Sequence, residues 1–278
     1  MSILRFLSRL SMSGKLALVV FLLYIFVAVF ANLLSLHSTY EPSTRALQPP
    51  DRTHWLGSDD LGIDLWAQLV QGTRTSLLIG LGTACLAGLG GALLGMLSGY
   101  KGGWLDRLIM RLADAALALP SLPIMIVCGA FFGPSLFNIL LILSLFTWMT
   151  PARLIRAKAL ALKEEPYVWL SRSYGASLWH IITHHFLPSL TPLMLVSCIR
   201  LVNHAVIAEA SLSYLGLGDP LSRSWGLILH HAVQFKSIYY TPFWKWWVIS
   251  PLAALLLFVL SLALLTRELE KKSDLVRE

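Results

Sequence analysis

Six long apolar runs constrain this chain more than any other feature of its sequence. Each is about as long as a helix must be to cross the roughly 30 Å hydrocarbon core of a bilayer. The runs lie at 16–36, 75–99, 108–129, 135–152, 189–214 and 246–266. They are continuous rather than alternating, which excludes a membrane β-barrel, and backbone amides in lipid need partners within their own segment. The sequence therefore predicts an all-α membrane protein with six transmembrane helices.

The composition agrees with a membrane location. Hydrophobic residues make up 56% of the 278 residues and charged residues only 13%, whereas soluble domains carry about 25% charged residues. The net charge of +7 does not indicate nucleic-acid binding, because no basic run alternates with surface aromatics. Cys85, Cys128 and Cys198 lie in apolar runs without metal-ligand spacing, so we expect packing roles for them. We interpret the first run as a retained helix, not a cleaved signal.

The basic residues between the runs predict the orientation of the chain. With the N-terminus inside, the inner pieces carry fifteen Lys and Arg residues and the outer pieces six. An excess of positive charge marks cytoplasmic loops. We therefore expect residues 1–15 and the tail 267–278 in the cytoplasm, and residues 37–74 outside. The core at 75–266 contains the longest cytoplasmic segment, 153–188.

That segment contains a helix–glycine–helix pattern that ends in Leu-Pro just before the fifth run. Residues 167–188 read YVWLSRSYGASLWHIITHHFLP. Gly175 allows a tight turn between two short helices, and Pro188 suits the first turn of the following span. A short helix held along the membrane is a surface that another protein can bind.

The segment resembles the EAA loop of ABC importer permeases, whose coupling helix docks in a groove of a separate ATPase. The resemblance implies a coupling role for Tyr167, Trp169, Arg172, Gly175, Ala176, His185 and Pro188. The sequence has no G-x-x-x-x-G-K-[ST] phosphate-binding loop. We therefore expect no cofactor in this chain, and Mg-ATP in the partner ATPase.

Other motifs are similar to those of the dipeptide/oligopeptide/nickel permease family. Residues 54–64 read HWLGSDDLGID, like the family's HWLGTDxxGRD, and 72–77 read GTRTSL, like GxRxSL. Residues 98–114 contain patterns like GYxGGxxD and MRxxD, and 208–226 contain AEASLSYLGLG and SWG. The order and length are similar to the second, C-type permease of a heterodimeric pair. The resemblance implies a type I ABC importer permease fold with cytoplasmic coupling helices, multi-pass in the bacterial inner membrane.

The resemblance also implies partners. These are a second homologous permease, one or two ATPase subunits, a periplasmic or lipid-anchored substrate-binding protein, and membrane lipid. The chain would form half of the translocation path for small peptides and would not itself be an enzyme. Alternating access would be driven by the ATPase.

The chain departs from the family pattern at three places. Trp169, Leu170 and Ser171 replace the Glu-Ala-Ala of the coupling segment, Ile63 replaces the Arg of GRD, and the C-terminal GDxLRDxLDPR signature is absent. The first change concerns the contacts with the ATPase. The last concerns the cargo, and it keeps a nickel or cobalt chelate open as the alternative to peptides.

Polar residues in the fifth run are candidates for the translocation path. Arg200, Asn203 and His204 fall on one face of a helix, and charges in a membrane usually face a bundle interior or a water-filled path. One hypothesis is that Arg200 meets an anionic group of the substrate. The other is that it forms a structural pair, for example with a carboxylate of the second permease. Glu209 belongs to a family motif, which favours a gating or structural role.

Outside the spans, the resemblance assigns Asp59 and Asp64 to the outer mouth, next to the substrate-binding protein. We predict no metal site: His180 and His184 have a suitable i, i+4 spacing but lie in the coupling segment, and the neighbours His230 and His231 point to different helix faces. No group of side chains is placed for covalent catalysis. A secondary transporter is the rival of another class, but the inverted repeats with broken helices typical of such transporters are not apparent.

Overall fold

The computed structural model describes residues 11–275, with side chains up to Lys271, and every regular element in this part of the chain is a helix. The predicted all-α architecture is therefore confirmed. The basic residues Arg5, Arg9, Lys272 and Arg277, used to predict orientation, lie outside the described residues or side chains. The helices are α1 (Met12–Val29), α2 (Ala31–Leu34), α3 (Leu65–Lys101), α4 (Gly103–Ala118), α5 (Ser121–Phe132), α6 (Leu136–Lys163), α7 (Pro166–Ser173), α8 (Leu178–Leu217), α9 (Trp225–Gln234), α10 (Trp244–Trp247) and α11 (Ile249–Leu275).

Within residues 11–275, five stretches are long and apolar enough to cross a membrane, and the bent pair α4–α5 can be counted as a sixth. The continuous third span predicted at 108–129 is wrong, because α4 and α5 meet at an angle of 89°. The break has a local cause: Pro120 has no backbone N–H and disfavours helical geometry in the residue before it. Leu119 is extended accordingly, with φ −86° and ψ 140°.

The other helices extend beyond or stop short of their apolar runs. Helix α3 begins at Leu65, ten residues before the predicted 75, because the carboxylate of Asp64 caps it by accepting from Trp66 N at 3.2 Å. Helix α1 ends at Val29, short of the predicted 36. Apolar composition locates the part of a helix that lies in lipid, whereas caps and helix-breaking residues set its ends. The remaining spans likewise differ from their predicted bounds. They were predicted at 135–152, 189–214 and 246–266, and the structure has Leu136–Lys163, Leu178–Leu217 and Trp244–Lys271.

A seam of glycines joins α3 to α6. Gly91, Gly95 and Gly99 lie four residues apart on one face of α3. A Cβ at Gly91 would meet the carbonyl oxygen of Trp148, and one at Gly95 would meet that of Ala152. Small residues at this spacing allow membrane helices to approach closely. The two backbones are therefore in contact along this seam.

The bundle has two ends, which we name after glycines in their turns. The Gly57 end carries the loop between α2 and α3, and the Gly175 end carries the turn between α7 and α8. The start of α1 also contacts the last part of α11, where Ser11 Oγ donates to Glu268 Oε1 at 2.7 Å. The first and last described residues therefore leave the bundle on the same side.

Candidate functional site

The turn at Gly175 is built as the sequence predicts. Pro166 starts α7, whose last turn closes at Tyr174, and Gly175 follows with φ +80°, a conformation that side chains disfavour. The side chain of Ser177 then caps α8 by accepting from His180 N at 3.2 Å. The result is two helices joined by one tight turn.

Buried apolar residues hold this turn against the bundle. Val168, Ile181 and Phe186 are buried and pack with residues of α3 and α6 in one cluster. A polar contact crosses the turn as well, since Ser171 Oγ lies 2.9 Å from His185 Nε2. The ring of Tyr167 lies 5.5 Å from that of His185. The inner side of the turn is therefore packed against α3 and α6.

The same helix–turn–helix also carries large aromatic side chains that are exposed in this chain. Tyr174 is 84% exposed, Trp179 74% and Trp169 64%. Arg172 and Pro188 are also exposed, while Ala176 and His185 are half-buried. Such a concentration of exposed aromatics on one loop is typical of a protein-binding surface. We call it the aromatic face: Trp169, Tyr174 and Trp179.

The predicted coupling segment, 153–188, contains the end of one long helix as well as the turn at Gly175. Residues 153–163 continue α6 and pack along α3, with Ile155 and Ala159 fully buried. Arg156 also makes a two-point ion pair with Asp106. The basic residues of 153–163 thus form the polar end of a long helix rather than a loop.

Arg200, Asn203 and His204 lie together, as their spacing predicts. They line one side of an open groove of about 370 Å³, and Thr266, Arg267 and Glu270 of α11 line the other. Arg200 forms an ion pair with Glu270, so a structural carboxylate partner is present in the same chain. The oxygen of Asn203 is buried and has no hydrogen-bond partner among the described residues. The groove therefore presents a guanidinium that is already paired with a carboxylate of the same chain.

The position of Arg200 differs from the mid-membrane site expected from the apolar run. Its partner Glu270 lies beyond the predicted last span, in the tail assigned to 267–278. Helix α8 spans 40 residues, about 60 Å if straight, which is twice the hydrocarbon thickness. The groove is therefore lined in part by residues beyond the predicted last span, Arg267 and Glu270.

Glu209 is separated from this groove. It is fully buried and accepts hydrogen bonds from Ser213 Oγ at 2.7 Å and Ser76 Oγ at 3.1 Å. Its carboxylate thus joins α8 to α3 inside the bundle. This contact matches the structural role left open for it and gives it no access to the groove.

The two predicted outer-mouth carboxylates face inward. Asp59 Oδ1 accepts from the backbone N–H groups of Leu61 and Ile63, both at 2.9 Å, and its Oδ2 accepts from Gln68 Nε2 at 2.6 Å. Burial raises the pKa of Asp59. Asp64 is 1% exposed and caps α3. These groups hold the shape of the loop, and direct contact of either carboxylate with a binding protein is not compatible with their burial.

The histidine pairs singled out in the sequence have other contacts. The rings of His180 and His184 stack 4.2 Å apart, and His184 Nδ1 lies 2.9 Å from Thr183 Oγ1. His230 Nδ1 lies 2.7 Å from the carbonyl oxygen of Tyr214. The glycine seam and the grouping of His37 with His54 and Asp64 were missed. The seam had a signal in its four-residue spacing, but His37 is distant in sequence and belongs to no motif.

Known proteins match most of the chain. A family model described as "Binding-protein-dependent transport system inner membrane component" matches residues 91–274. The oligopeptide transport system permease protein OppC of Bacillus subtilis is 37% identical over 232 residues, covering 82% of this chain and 76% of that protein. The dipeptide transport system permease protein DppC of Alkalihalophilus pseudofirmus is 35% identical over 247 residues, covering 87% and 79%.

A third relative extends the range of named cargo. The glutathione transport system permease protein GsiD of Pectobacterium atrosepticum is 34% identical over 214 residues, covering 76% of this chain and 71% of that protein. The family model begins in α3 and ends in α11, so it includes the turn at Gly175 and the groove. The resemblance drawn from the motifs is confirmed, and this multi-pass membrane chain belongs to the binding-protein-dependent transport permeases, the permease family of ABC importers.

Proposed function

We propose that this chain forms half of the translocation path of an ATP-driven importer of small peptides. The cargo is supported by the names of the relatives, which are oligopeptide, dipeptide and glutathione permeases. These names favour peptides over the nickel or cobalt alternative. Family membership favours an ATP-driven importer over a secondary transporter.

The aromatic face is the observation that carries the proposal. It lies on a turn whose inner side is packed against α3 and α6, while its outer side exposes three large rings. A surface of this kind transmits force: a partner bound to the rings moves the helices beneath them. The partner is a separate ATPase that binds Mg-ATP. One or two such subunits serve this chain and a second homologous permease.

The orientation follows from the same assignment. If the Gly175 end meets the ATPase, it lies in the cytoplasm, and the loop at the Gly57 end lies outside. The first and last described residues leave on the Gly175 side, which supports both termini being cytoplasmic. The membrane is then the bacterial inner membrane, and a periplasmic or lipid-anchored binding protein approaches the Gly57 end.

The groove of Arg200, Asn203 and His204 is the wall of the path in this proposal. The second permease closes its open side, and peptide carboxylates meet Arg200 when the pair with Glu270 opens. A guanidinium is suited to this task because it binds carboxylates with two parallel hydrogen bonds. Glu209 has the separate task of keeping α8 against α3.

Uptake of a labelled dipeptide by intact cells tests the coupling surface. Replacing Trp179 by Ala should lower uptake at least roughly fivefold, because deletion of a well-packed aromatic at an interface typically costs about 1 kcal/mol or more. Trp104 is the matched control, since it is 68% exposed at the start of α4 but lies outside the turn. Trp104→Ala should leave uptake near that of the parent.

The amount of each variant in the membrane is measured in parallel by immunoblot. Equal uptake by the Trp179→Ala variant and the parent, at equal amounts of chain, would contradict a coupling role for the aromatic face. A loss of uptake that the Trp104→Ala variant shares would contradict it as well.

A further inference from the structure

Three side chains from three separate segments meet at the start of α3. His37 follows α2, His54 lies in the loop, and Asp64 is the residue before α3. His37 Nδ1 lies 3.1 Å from Asp64 Oδ2, and His54 Nδ1 lies 3.7 Å from Asp64 Oδ1. The three ligand atoms all fall within 4.8 Å of one another. The two imidazoles therefore present the same ring nitrogen to one carboxylate.

Hydrogen bonding satisfies only part of this cluster. His37 Nδ1 pairs with Asp64 Oδ2, while Asp64 Oδ1 accepts from Trp66 N at 3.2 Å. His54 is 5% exposed, and its Nδ1 has no hydrogen-bond partner in the described part of the chain. The 3.7 Å between this nitrogen and Asp64 Oδ1 is too long for a hydrogen bond. A buried polar atom without a partner costs free energy. The capping of α3 by Asp64 accounts for the positions of Asp64 and His37, but it does not account for the buried nitrogen of His54.

We propose that His37, His54 and Asp64 bind one Zn²⁺ ion. Zinc takes imidazole nitrogens at about 2.0–2.1 Å and carboxylate oxygens at about 2.0–2.2 Å, usually as a tetrahedron. Ligand atoms at such distances lie about 3.3–3.5 Å apart. The three ligand atoms here lie within 4.8 Å of one another, and the distances of 3.1 and 3.7 Å run to different oxygens of Asp64, so side-chain rotation must bring the ligands together around one ion. The rings of His37 and His54 already lie side by side, with centroids 4.4 Å apart.

The donor set selects the class of metal. Two imidazoles with one carboxylate suit zinc and its neighbours among the transition metals, whereas Ca²⁺ and Mg²⁺ require oxygen ligands. The side chain of His37 is 30% exposed and those of the other two residues are almost fully buried. The fourth position therefore opens beside His37, where water reaches it.

Bound zinc would tie the loop to the helix that follows it. Its ligands come from both ends of the 37–64 segment and from its middle. One ion therefore cross-links residues 37, 54 and 64 and holds the two stretches of loop between them. Because such a site exists only in the folded chain, binding free energy adds to folding free energy. The ion would fix the surface that the loop presents at the Gly57 end.

Metal content of the purified full-length chain tests the site. The chain, purified in detergent without a polyhistidine tag, is stripped with EDTA, dialysed against Zn²⁺ and then against buffer, and its zinc is measured by mass spectrometry. We expect about one zinc per chain, and near zero for His37→Gln. The control is His230→Gln, another histidine at the same end whose contact is with Tyr214. It should retain the full amount.

X-ray absorption at the zinc edge of the loaded parent chain gives a second measurement that does not depend on any variant. We expect two imidazoles with the remaining ligands oxygen. Zinc near zero in the parent, equal zinc in the His37→Gln variant, or sulfur in the coordination shell would each overturn the site. Transport is not measured in either experiment, so their failure leaves the proposed permease function standing.

Discussion

At the scale of single residues, two buried carboxylates attach α3 to its neighbours: one to α8 and one to the loop that precedes it. Glu209 joins α8 to α3 through Ser213 and Ser76, and Asp59 ties the preceding loop to Gln68. Sequence motifs single out both residues, but a motif does not state whether a carboxylate faces a ligand or the protein interior. Burial decides that question here, since Glu209 is 0% and Asp59 6% exposed.

Asp59 leads to a prediction on pH. Burial raises the pKa of Asp59, so the folded chain keeps this proton at pH values where the unfolded chain has released it. Its contribution to the free energy of unfolding therefore falls as the pH rises from about 4 through the raised pKa. In Asp59→Asn this dependence should disappear.

The measurement is the thermal unfolding midpoint of the detergent-solubilised chain between about pH 4 and about pH 8, a range that starts near the unfolded pKa of an aspartate. The unfolding midpoint of the parent minus that of Asp59→Asn should decrease as the pH rises. A constant difference between the two proteins across this range would show that Asp59 does not titrate there.

Arg200 gives a second residue-scale prediction, on transport. If its guanidinium binds a peptide carboxylate, Arg200→Met should lower dipeptide uptake roughly tenfold or more, because hydrogen bonds to charged groups contribute about 1.5–3 kcal/mol. Glu270→Gln is the control, since it removes the ion pair without removing the cation. Its uptake should stay within about twofold of the parent. Normal uptake by Arg200→Met at equal membrane amounts would exclude a role in binding cargo.

At the scale of elements, the positions of the helices could be predicted from the sequence but their ends and bends could not. Apolar runs locate the lipid-spanning parts because hydrocarbon excludes unpaired backbone groups. They say nothing about polar extensions, so the start of α3 at Leu65 and the end of α6 at Lys163 were missed. The bend at Pro120 had a local signal, which the surrounding apolar residues masked.

The glycine seam between α3 and α6 gives an element-scale prediction. A methyl group at Gly95 would meet the backbone oxygen of Ala152, so Gly95→Ala should destabilise the chain by about 1–3 kcal/mol. Gly90 is a matched control in the same helix, because a Cβ at this position would have open space within 4 Å. There the same substitution should stabilise by about 0.5–1 kcal/mol.

Both effects can be measured as shifts of the thermal unfolding midpoint in detergent. Opposite signs for the two variants are expected. A Gly95→Ala variant as stable as Gly90→Ala would mean that the helices of the seam are not in close contact in the protein.

At the scale of the whole molecule, sequence reasoning reached the family but only part of the site. The helix–glycine–helix pattern with its Leu-Pro end predicts the turn that the structure contains, with Gly175 at φ +80°. The grouping of Arg200, Asn203 and His204 was also predictable from helical spacing. The partner Glu270 and the cluster at His37 were not, because they depend on how distant segments pack.

At this scale the chain leaves two surfaces uncovered. Its groove is open on one side, and its aromatic face has no covering element among residues 11–275. Both features are accounted for by the proposed assembly with a second permease and an ATPase. The substituted Glu-Ala-Ala at Trp169, Leu170 and Ser171 then replaces a carboxylate contact with an aromatic one.

Native mass spectrometry of the complex purified from membranes through this chain tests that account most directly. The account predicts a second homologous permease together with one or two ATPase subunits, identified by peptides containing G-x-x-x-x-G-K-[ST], and loss of the ATPase from the Trp179→Ala complex. A chain that is purified alone and still transports dipeptide in ATP-free proteoliposomes would contradict it.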